Sequence, residues 1–215
     1  EGALWIATMN GVSRFDGLKF TNFSKRDGLL DNRVYCIFAA RDGYLWFGTE
    51  LGASRFDPAT RQFQNFPSGT NGLSAGRVFD IEATPDGVLW LRTREGLTRY
   101  DGRSFREIPG IPRITLTEVL TKTKALAVDR LGRVWTVTQE QDLWRMDGTN
   151  VVRLTTSDGL ATRNQDALHL SPDGNLWFQD SWQAVQAITR YDGRSFVSVP
   201  LDQQPTAIHV TPEGI

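Results

Sequence analysis

Histidine and cysteine most often carry nucleophilic, acid–base or metal chemistry, and this chain contains three such residues. His169 and His209 lie 40 residues apart, each inside a predicted strand, and neither belongs to a His-Glu-x-x-His or similar ligand spacing. Cys36 is the single cysteine, which excludes an intrachain disulfide and a cysteine-based zinc site. The sequence has no Ser-His-Asp context and no phosphate-binding glycine loop. We therefore predict no catalytic residue, no metal and no cofactor.

The side chains best suited to bind a small molecule lie close together near residue 182. Trp182 offers a flat indole that could stack on the apolar face of a sugar ring. The amides of Gln183 and Gln186 could hydrogen-bond to the hydroxyl groups of the same ring. Alternatively, Trp182 packs on the base of its own loop, and the sequence leaves both interpretations open.

Basic and amide side chains in three similar loops form a second group of candidates. Arg33 and Arg77 each stand directly before a predicted strand, at matched positions, and Arg163 and Asn164 lie in a loop of the same type. They could present cations and an amide to an acidic ligand, although a salt bridge between neighbouring repeats would explain Arg33 and Arg77 equally well. Asn32 is predicted to cap its own loop.

These candidates are set in a repeat that organises the whole chain. An aliphatic-Trp pair recurs five times, each time two residues after a glycine, and these five glycines are separated by 41, 44, 45 and 42 residues. The five segments are residues 4–8, 45–49, 89–93, 134–138 and 176–180. A period of about 42 residues indicates a repeat array, and we expect residues 1–215 to form a single domain of five repeats.

Each repeat predicts four short strands separated by tight turns. The second repeat is the clearest, with strands predicted at residues 34–39, 45–49, 53–57 and 62–66. Asp42-Gly43 forms the first hairpin turn, where glycine supplies a positive φ. Five antiparallel sheets in series bury both of their faces when they pack around an axis. The sequence therefore predicts an all-β fold, a β-propeller with four-stranded blades.

A second motif, arginine and aspartate two residues apart, closes the third strand of every repeat. The pairs are Arg14 and Asp16, Arg55 and Asp57, Arg99 and Asp101, Arg145 and Asp147, and Arg190 and Asp192. The aspartates are predicted to bond the backbone of the following turn. The arginines either brace neighbouring blades or are solvated. The repeated tryptophans are predicted to be core residues, because a side chain found at the same position of every repeat does not mark five binding sites.

The candidate binding residues are expected to share one face of the propeller. Loops that join the second strand to the third, and the fourth strand to the next blade, lie on that face, and loops on a rigid frame tolerate change. The spacing from the repeated tryptophan to the repeated arginine is 9, 9, 9, 10 and 13 residues, so the fifth repeat carries the longest loop. That loop contains Trp182.

Residues 27–49 resemble the two-component regulator propeller repeat of bacterial hybrid sensor kinases. The residues that carry the resemblance are Asp27-Gly28-Leu29, Asn32, Val34, Ile37, Asp42-Gly43 and Leu45–Thr49. The fourth and fifth repeats depart most from this pattern, since Val137 and Gln179 replace its glycine.

The resemblance implies an extracytoplasmic sensor module, periplasmic or extracellular, in front of a β-sandwich, a membrane helix and a histidine kinase. Propellers of this family have seven blades and are thought to detect small molecules, including saccharides. It therefore implies that the five repeats are part of a larger propeller of about seven blades. The implied partners are a small-molecule or saccharide ligand and the downstream β-sandwich and kinase parts of the same protein.

We therefore predict a ligand-sensing module of a two-component signal transduction protein that is not itself an enzyme. The net charge of −1, from 24 basic and 25 acidic residues, argues against nucleic acid or a membrane surface as partner. One alternative is a propeller enzyme of the lyase type, which would need His169 or His209 beside a carboxylate in the axial channel. The other is a protein–protein docking platform, which would favour a broad apolar patch.

Overall fold

A computed structural model describes most of the chain, and these residues form sheets. The described residues are 2–112, 126–138, 142–148, 150–160, 165–180 and 187–202, with the backbone alone for 165–167 and 179–180. They contain nineteen strands in five antiparallel sheets. The chain divides into two compact units, Glu1–Pro109 and Gly110–Ile215.

The first unit contains three sheets, each of which is one blade. Blade 1 has the strands β1 (Leu4–Thr8), β2 (Gly11–Phe15) and β3 (Phe20–Phe23). Blade 2 has β4 (Val34–Ala39), β5 (Leu45–Thr49), β6 (Gly52–Asp57) and β7 (Gln62–Pro67). Blade 3 has β8 (Val78–Ala83), β9 (Leu89–Thr93), β10 (Leu97–Tyr100) and β11 (Phe105–Glu107). In all three blades the strands pair in chain order.

The second unit contains two four-stranded blades with the same strand order. Blade 4 has β12 (Leu126–Val128), β13 (Val134–Val137), β14 (Leu143–Asp147) and β15 (Asn150–Leu154). Blade 5 has β16 (Gln165–Leu170), β17 (Leu176–Asp180), β18 (Ala187–Tyr191) and β19 (Phe196–Pro200). The predicted all-β fold of antiparallel propeller blades is confirmed. The single-domain prediction for residues 1–215 stays a prediction.

Each complete blade has two ends, which we name after their connections. The hairpin end carries the turn between the first and second strands and the turn between the third and fourth strands. The loop end carries the turn between the second and third strands and the crossing to the next blade. In blade 2 the hairpin end is residues 40–44 and 58–61, and the loop end begins at Glu50 and Leu51.

The hairpin turns form because short polar side chains and glycine satisfy their backbone. Gly43 has a φ of 88° and its N–H donates to the Ala40 carbonyl at 3.0 Å. At the other turn, Asp101 Oδ1 accepts from the N–H groups of Arg103 and Ser104 at 2.9 Å each. These bonds hold the pKa of Asp101 below its ordinary value of 3.8. Asp16, Asp57 and Asp192 accept from their own turns in the same way, as the motif predicts.

Four of the five repeated tryptophans are buried in the core, as predicted, whereas Trp5 is half-buried. The side chains of Trp46, Trp90, Trp135 and Trp177 are all buried. In every blade the tryptophan lies directly across from the arginine of the second motif, in the pairs Trp5 and Arg14, Trp46 and Arg55, Trp90 and Arg99, Trp135 and Arg145, and Trp177 and Arg190. The arginines thus lie beside the indoles of their own sheet.

A β-bulge interrupts the first strand of three blades near its loop end. The register shifts between Val34 and Cys36 in blade 2, and between Val78 and Asp80 in blade 3. The extra residues are Tyr35 and Phe79, and the backbone of blade 5 has the same shift between residues 165 and 167. A bulge redirects the side chain of the extra residue, and bulges are common beside functional sites.

The only helical segments among the described residues are single 3₁₀ turns at Lys25–Asp27 and Thr156–Asp158. Accordingly, no helix in this part of the chain has the length and apolar character needed to cross a bilayer.

Candidate functional site

The predicted binding residues fall into two groups when they are placed on the structure. Arg33 and Arg77 lie at the loop end of the first unit and are described below. Five further candidates lie outside the described residues, namely Arg163, Asn164, Trp182, Gln183 and Gln186. Binding by either group stays a prediction.

Arg33 and Arg77 converge on one carboxylate, that of Glu50. Arg77 Nη2 lies 3.2 Å from Glu50 Oε1, and Arg33 Nη1 lies 3.9 Å from Glu50 Oε2. The Tyr35 hydroxyl donates to Glu50 Oε2 at 2.5 Å. Glu50 belongs to blade 2 and Arg77 precedes the first strand of blade 3. Arg77 therefore forms the salt bridge between neighbouring repeats that was one of the two sequence interpretations.

The two bulged residues extend this group into a stack of cations and rings. The rings of Tyr35 and Phe79 are 6.1 Å apart in an edge-on arrangement. The guanidinium of Arg77 lies over both of them, at 5.1 Å and 5.6 Å from the ring centroids. Arg92 lies 5.3 Å from the Phe79 centroid. We call Arg33, Tyr35, Glu50, Arg77 and Phe79 the loop-end cluster.

At neutral pH the loop-end cluster contains a protonated tyrosine hydroxyl beside positively charged arginines. Burial, followed by the hydrogen bond to Glu50, raises the pKa of Tyr35, so its hydroxyl stays protonated at neutral pH. Burial lowers the pKa of Arg92, but an arginine side chain remains charged in proteins. The exposed cation of the cluster is Arg33, whose side chain is 63% exposed.

Sequence reasoning missed Tyr35, Glu50 and Phe79. The available signal was an aromatic residue directly after the first valine of the strand in both repeats, Val34-Tyr35 and Val78-Phe79. The prediction for Asn32 is confirmed, because Asn32 Oδ1 accepts from the Lys25 N–H at 2.8 Å inside its own loop.

Two cavities lie at the hairpin ends of the blades that line them. The first groove, between blades 2 and 3, has a volume of about 440 Å³, and its walls include Arg41, Asp42, Trp46, Arg55, Asp86 and Tyr100. The second groove, between blades 4 and 5, has a volume of about 370 Å³, and its walls include Asp129, Arg130, Arg133, Asp173, Tyr191 and Gly193. Each groove lies within one unit.

One of the two histidines lies among the described residues. His169 is half-buried in β16, where it lies across from Trp177. His209 lies outside the described residues. In the part of the chain that the structure describes, no three His, Cys, Asp or Glu side chains come together as metal ligands would.

The comparisons with known proteins agree with the repeat and with the fold. Residues 28–50 match the family described as two component regulator propeller, which confirms the resemblance drawn from residues 27–49. This segment contains Arg33, Tyr35 and Glu50 of the loop-end cluster. No curated protein matches the sequence at a significant level.

Solved propellers of different roles share the fold at low sequence identity. The extracellular domain of a proposed one component system from B. thetaiotaomicron is 15% identical, with a TM-score of 0.65 over 94% of this chain and 34% of that chain. A catalytically inactive virginiamycin B lyase from Staphylococcus aureus, solved with quinupristin, is 15% identical, with a TM-score of 0.66 over 94% and 67% of the two chains. A chain of the mitotic checkpoint complex is also 15% identical, with a TM-score of 0.66 over 94% and 62%.

These likenesses show the propeller fold alone, because one fold can host unrelated functions. The chain spans about a third of the length of the bacterial extracellular domain.

Proposed function

We propose that the chain is a ligand-sensing propeller module of a bacterial two-component signal transduction protein, acting by binding and not by catalysis. The observation that carries the proposal is the match of residues 28–50 to the two component regulator propeller. On this proposal the module lies on the periplasmic or extracellular side of the membrane. Its signal passes to β-sandwich and kinase parts of the same protein.

The proposed ligand is a small molecule, with saccharides among the candidates, bound at the loop end. Arg33 supports this placement because it is exposed and only weakly held, 3.9 Å from Glu50. A guanidinium in that setting can turn to a carboxylate or to hydroxyl groups of a ligand at small cost. Arg163, Asn164, Trp182, Gln183 and Gln186 remain part of the proposal as further ligand contacts.

The loop-end cluster also offers a way to convert binding into a signal. Glu50 and Arg77 tie blade 2 to blade 3 at 3.2 Å, and Arg33 and Tyr35 share the same carboxylate. A ligand that draws Arg33 or Arg77 away from Glu50 changes the stability of this link between blades. Such a ligand shifts the population of arrangements only by the difference between its affinities for them.

A thermal-shift screen against glycans and small metabolites tests the proposal. We expect at least one compound to raise the melting temperature of the chain, since a ligand that binds only the folded state stabilises it. Arg33→Ala and Trp182→Ala should weaken the shift. Arg103→Ala, an exposed arginine at the hairpin end, is the matched control and should leave the shift unchanged. A shift that survives both loop-end substitutions would refute the proposed location, and the absence of any shift would favour a docking platform.

A further inference from the structure

The two hairpin-end grooves are built on the same frame but differ by one buried ion pair. From this difference we propose that the first groove binds a small zwitterion, a free amino acid, whose carboxylate and cationic group take the places of that ion pair. The site lies at the opposite end of the blades from the loop-end cluster. It does not rest on the proposed function.

The shared frame starts with a buried aromatic pair beneath each groove. Trp46 and Tyr100 are 5.3 Å apart in the first groove, and Trp135 and Tyr191 are 4.9 Å apart in the second. Each tyrosine hydroxyl donates to a turn carbonyl, Tyr100 to Gly102 at 3.0 Å and Tyr191 to Gly193 at 2.8 Å. These contacts place the two aromatic pairs and their carbonyl groups in corresponding positions.

An arginine clasp closes each groove in the same way. Arg41 Nη1 donates to the Pro85 carbonyl at 3.0 Å, from the first hairpin of blade 2 to the first hairpin of blade 3. Arg130 Nη2 donates to the Pro172 carbonyl at 2.8 Å between blades 4 and 5. The clasps give the two grooves matching rims.

In the second groove an ion pair lies over the aromatic pair. Arg133 Nε donates to Asp129 Oδ2 at 2.6 Å, and Trp135 Nε1 donates to the same oxygen at 3.0 Å. The Arg133 guanidinium lies over Trp135 and Tyr191, at 5.8 Å and 5.3 Å from the ring centroids. Its Nη2 also donates to the Gly193 carbonyl at 3.4 Å. Burial opposes the charge of Arg133, but the bond to Asp129 raises its pKa above the ordinary value.

In the first groove both members of the ion pair are replaced. Ala40 stands where the second groove has Asp129, and Tyr44 stands where it has Arg133. The Tyr44 ring lies beneath the Arg55 guanidinium, at 4.4 Å. Trp135 Nε1 donates to Asp129 in the second groove. The matching residue Ala40 has no carboxylate, so Trp46 Nε1 has no hydrogen-bond acceptor among the described residues. The wall of the first groove therefore presents an indole donor and the Gly102 carbonyl.

The charge of the first groove selects a zwitterion over a simple ion. The charged residues of its wall are Arg41, Asp42, Arg55 and Asp86. Their two positive and two negative charges sum to zero. A ligand with a net charge would leave an unbalanced charge in the groove, whereas a zwitterion would not. Its carboxylate accepts from Trp46 Nε1, and its cationic group donates to the Gly102 carbonyl. A cavity of about 440 Å³ is within the range of small-molecule sites.

Titration of the wild-type chain with glycine and L-alanine, followed through tryptophan indole N–H signals, tests this proposal directly. We expect the Trp46 indole signal to shift and the Trp135 signal to stay in place, because Asp129 already holds the latter. Acetate and methylammonium, which each carry one of the two charges, are expected to bind at least tenfold more weakly. No shift at Trp46 with either amino acid would overturn the proposal. Equal binding of either single ion would also overturn it.

Exchange of the ion pair between the grooves provides the matched variants, with binding measured by calorimetry. Ala40→Asp combined with Tyr44→Arg fills the first groove and should weaken L-alanine binding at least tenfold. Asp129→Ala combined with Arg133→Tyr opens the second groove and should raise the stoichiometry from one to two. Undiminished binding in the first double variant would refute the site. If a double variant does not fold, the wild-type titration alone decides. A loop-end ligand shifts neither indole, so failure of this site and failure of the proposed sensor function remain distinguishable.

Discussion

The hydroxyl of Tyr35 donates to Glu50 at 2.5 Å, and Arg77 of the next blade holds the same carboxylate at 3.2 Å. Loss of Arg77 removes a link between two blades in which the arginine side chain is only 19% exposed. We expect Arg77→Ala to lower the free energy of unfolding by about 1–3 kcal/mol, the range for bonds to charged groups. Arg33→Ala is the control, and urea denaturation should give roughly 0–1 kcal/mol for this exposed partner. Equal losses would show that Arg77 does not link the blades.

The buried tryptophan of blade 2 should be far more sensitive to truncation than the candidate binding tryptophan. Trp46 is 1% exposed and stacks on Phe66 at 5.3 Å. We expect Trp46→Ala to cost roughly 3–5 kcal/mol of unfolding free energy, as for other large core residues. Trp182→Ala should change the unfolding free energy by about 0.5 kcal/mol or less if Trp182 is a surface contact. Similar losses at both positions would mean that Trp182 packs on the base of its loop.

The aspartates of the repeated turns should make stability depend on pH in the acid range. Backbone bonds from Ser104 and Arg103 hold the pKa of Asp101 below 3.8. A carboxylate with a lowered pKa in the folded state stabilises the fold above its unfolded pKa, and this stability is lost as pH falls through the folded pKa. Asp101→Asn should therefore destabilise the chain more at pH 6 than at pH 3. A difference between variant and wild type that is the same at both pH values would contradict this assignment.

Gly48 is required by close packing between blades 2 and 3. A Cβ added at Gly48 would lie 2.5 Å from Cys36 Sγ and 2.6 Å from the Val78 carbonyl oxygen. We expect Gly48→Ala to cost about 1–3 kcal/mol, the usual range for overpacking. In a Cys36→Ala background the cost should fall but not vanish, because the Val78 carbonyl remains. Calorimetric melting temperatures of the four chains measure this coupling, and full additivity would argue against the contact.

The sequence predicts the sheets well because the same local pattern occurs in five repeats. The spacing of Trp46 from Gly43 and from Arg55 identifies a turn and two strands without any knowledge of the fold. The bulges at Tyr35 and Phe79 were not predicted from this spacing, because each extra residue lies inside a strand that its apolar and aromatic residues already predict. The contacts of Arg77 with Glu50 and Tyr35 could not be predicted either, because these two residues belong to the neighbouring blade.

The grooves were missed for a different reason. Departures from the repeat are easiest to recognise in loops, whereas the hairpin turns are the most regular part of each repeat. What distinguishes one groove from the other is a pair of substitutions, Ala40 for Asp129 and Tyr44 for Arg133. Each substitution fits its own strand or turn, so the sequence gives no sign of it. Only the contacts of Arg133 with Tyr191 and Gly193 of the next blade show that the two substitutions together change a groove.

The arginine clasps set a minimum size for any part of this chain that is moved or recombined. Arg41 meets its acceptor Pro85 in the following blade, and Arg130 meets Pro172 in the same manner. Arginine is thus supplied by the even-numbered blade and proline by the odd-numbered blade that follows it. Grafts or duplications that keep blades 2 and 3 together, or blades 4 and 5 together, therefore preserve both the clasp and the groove beneath it.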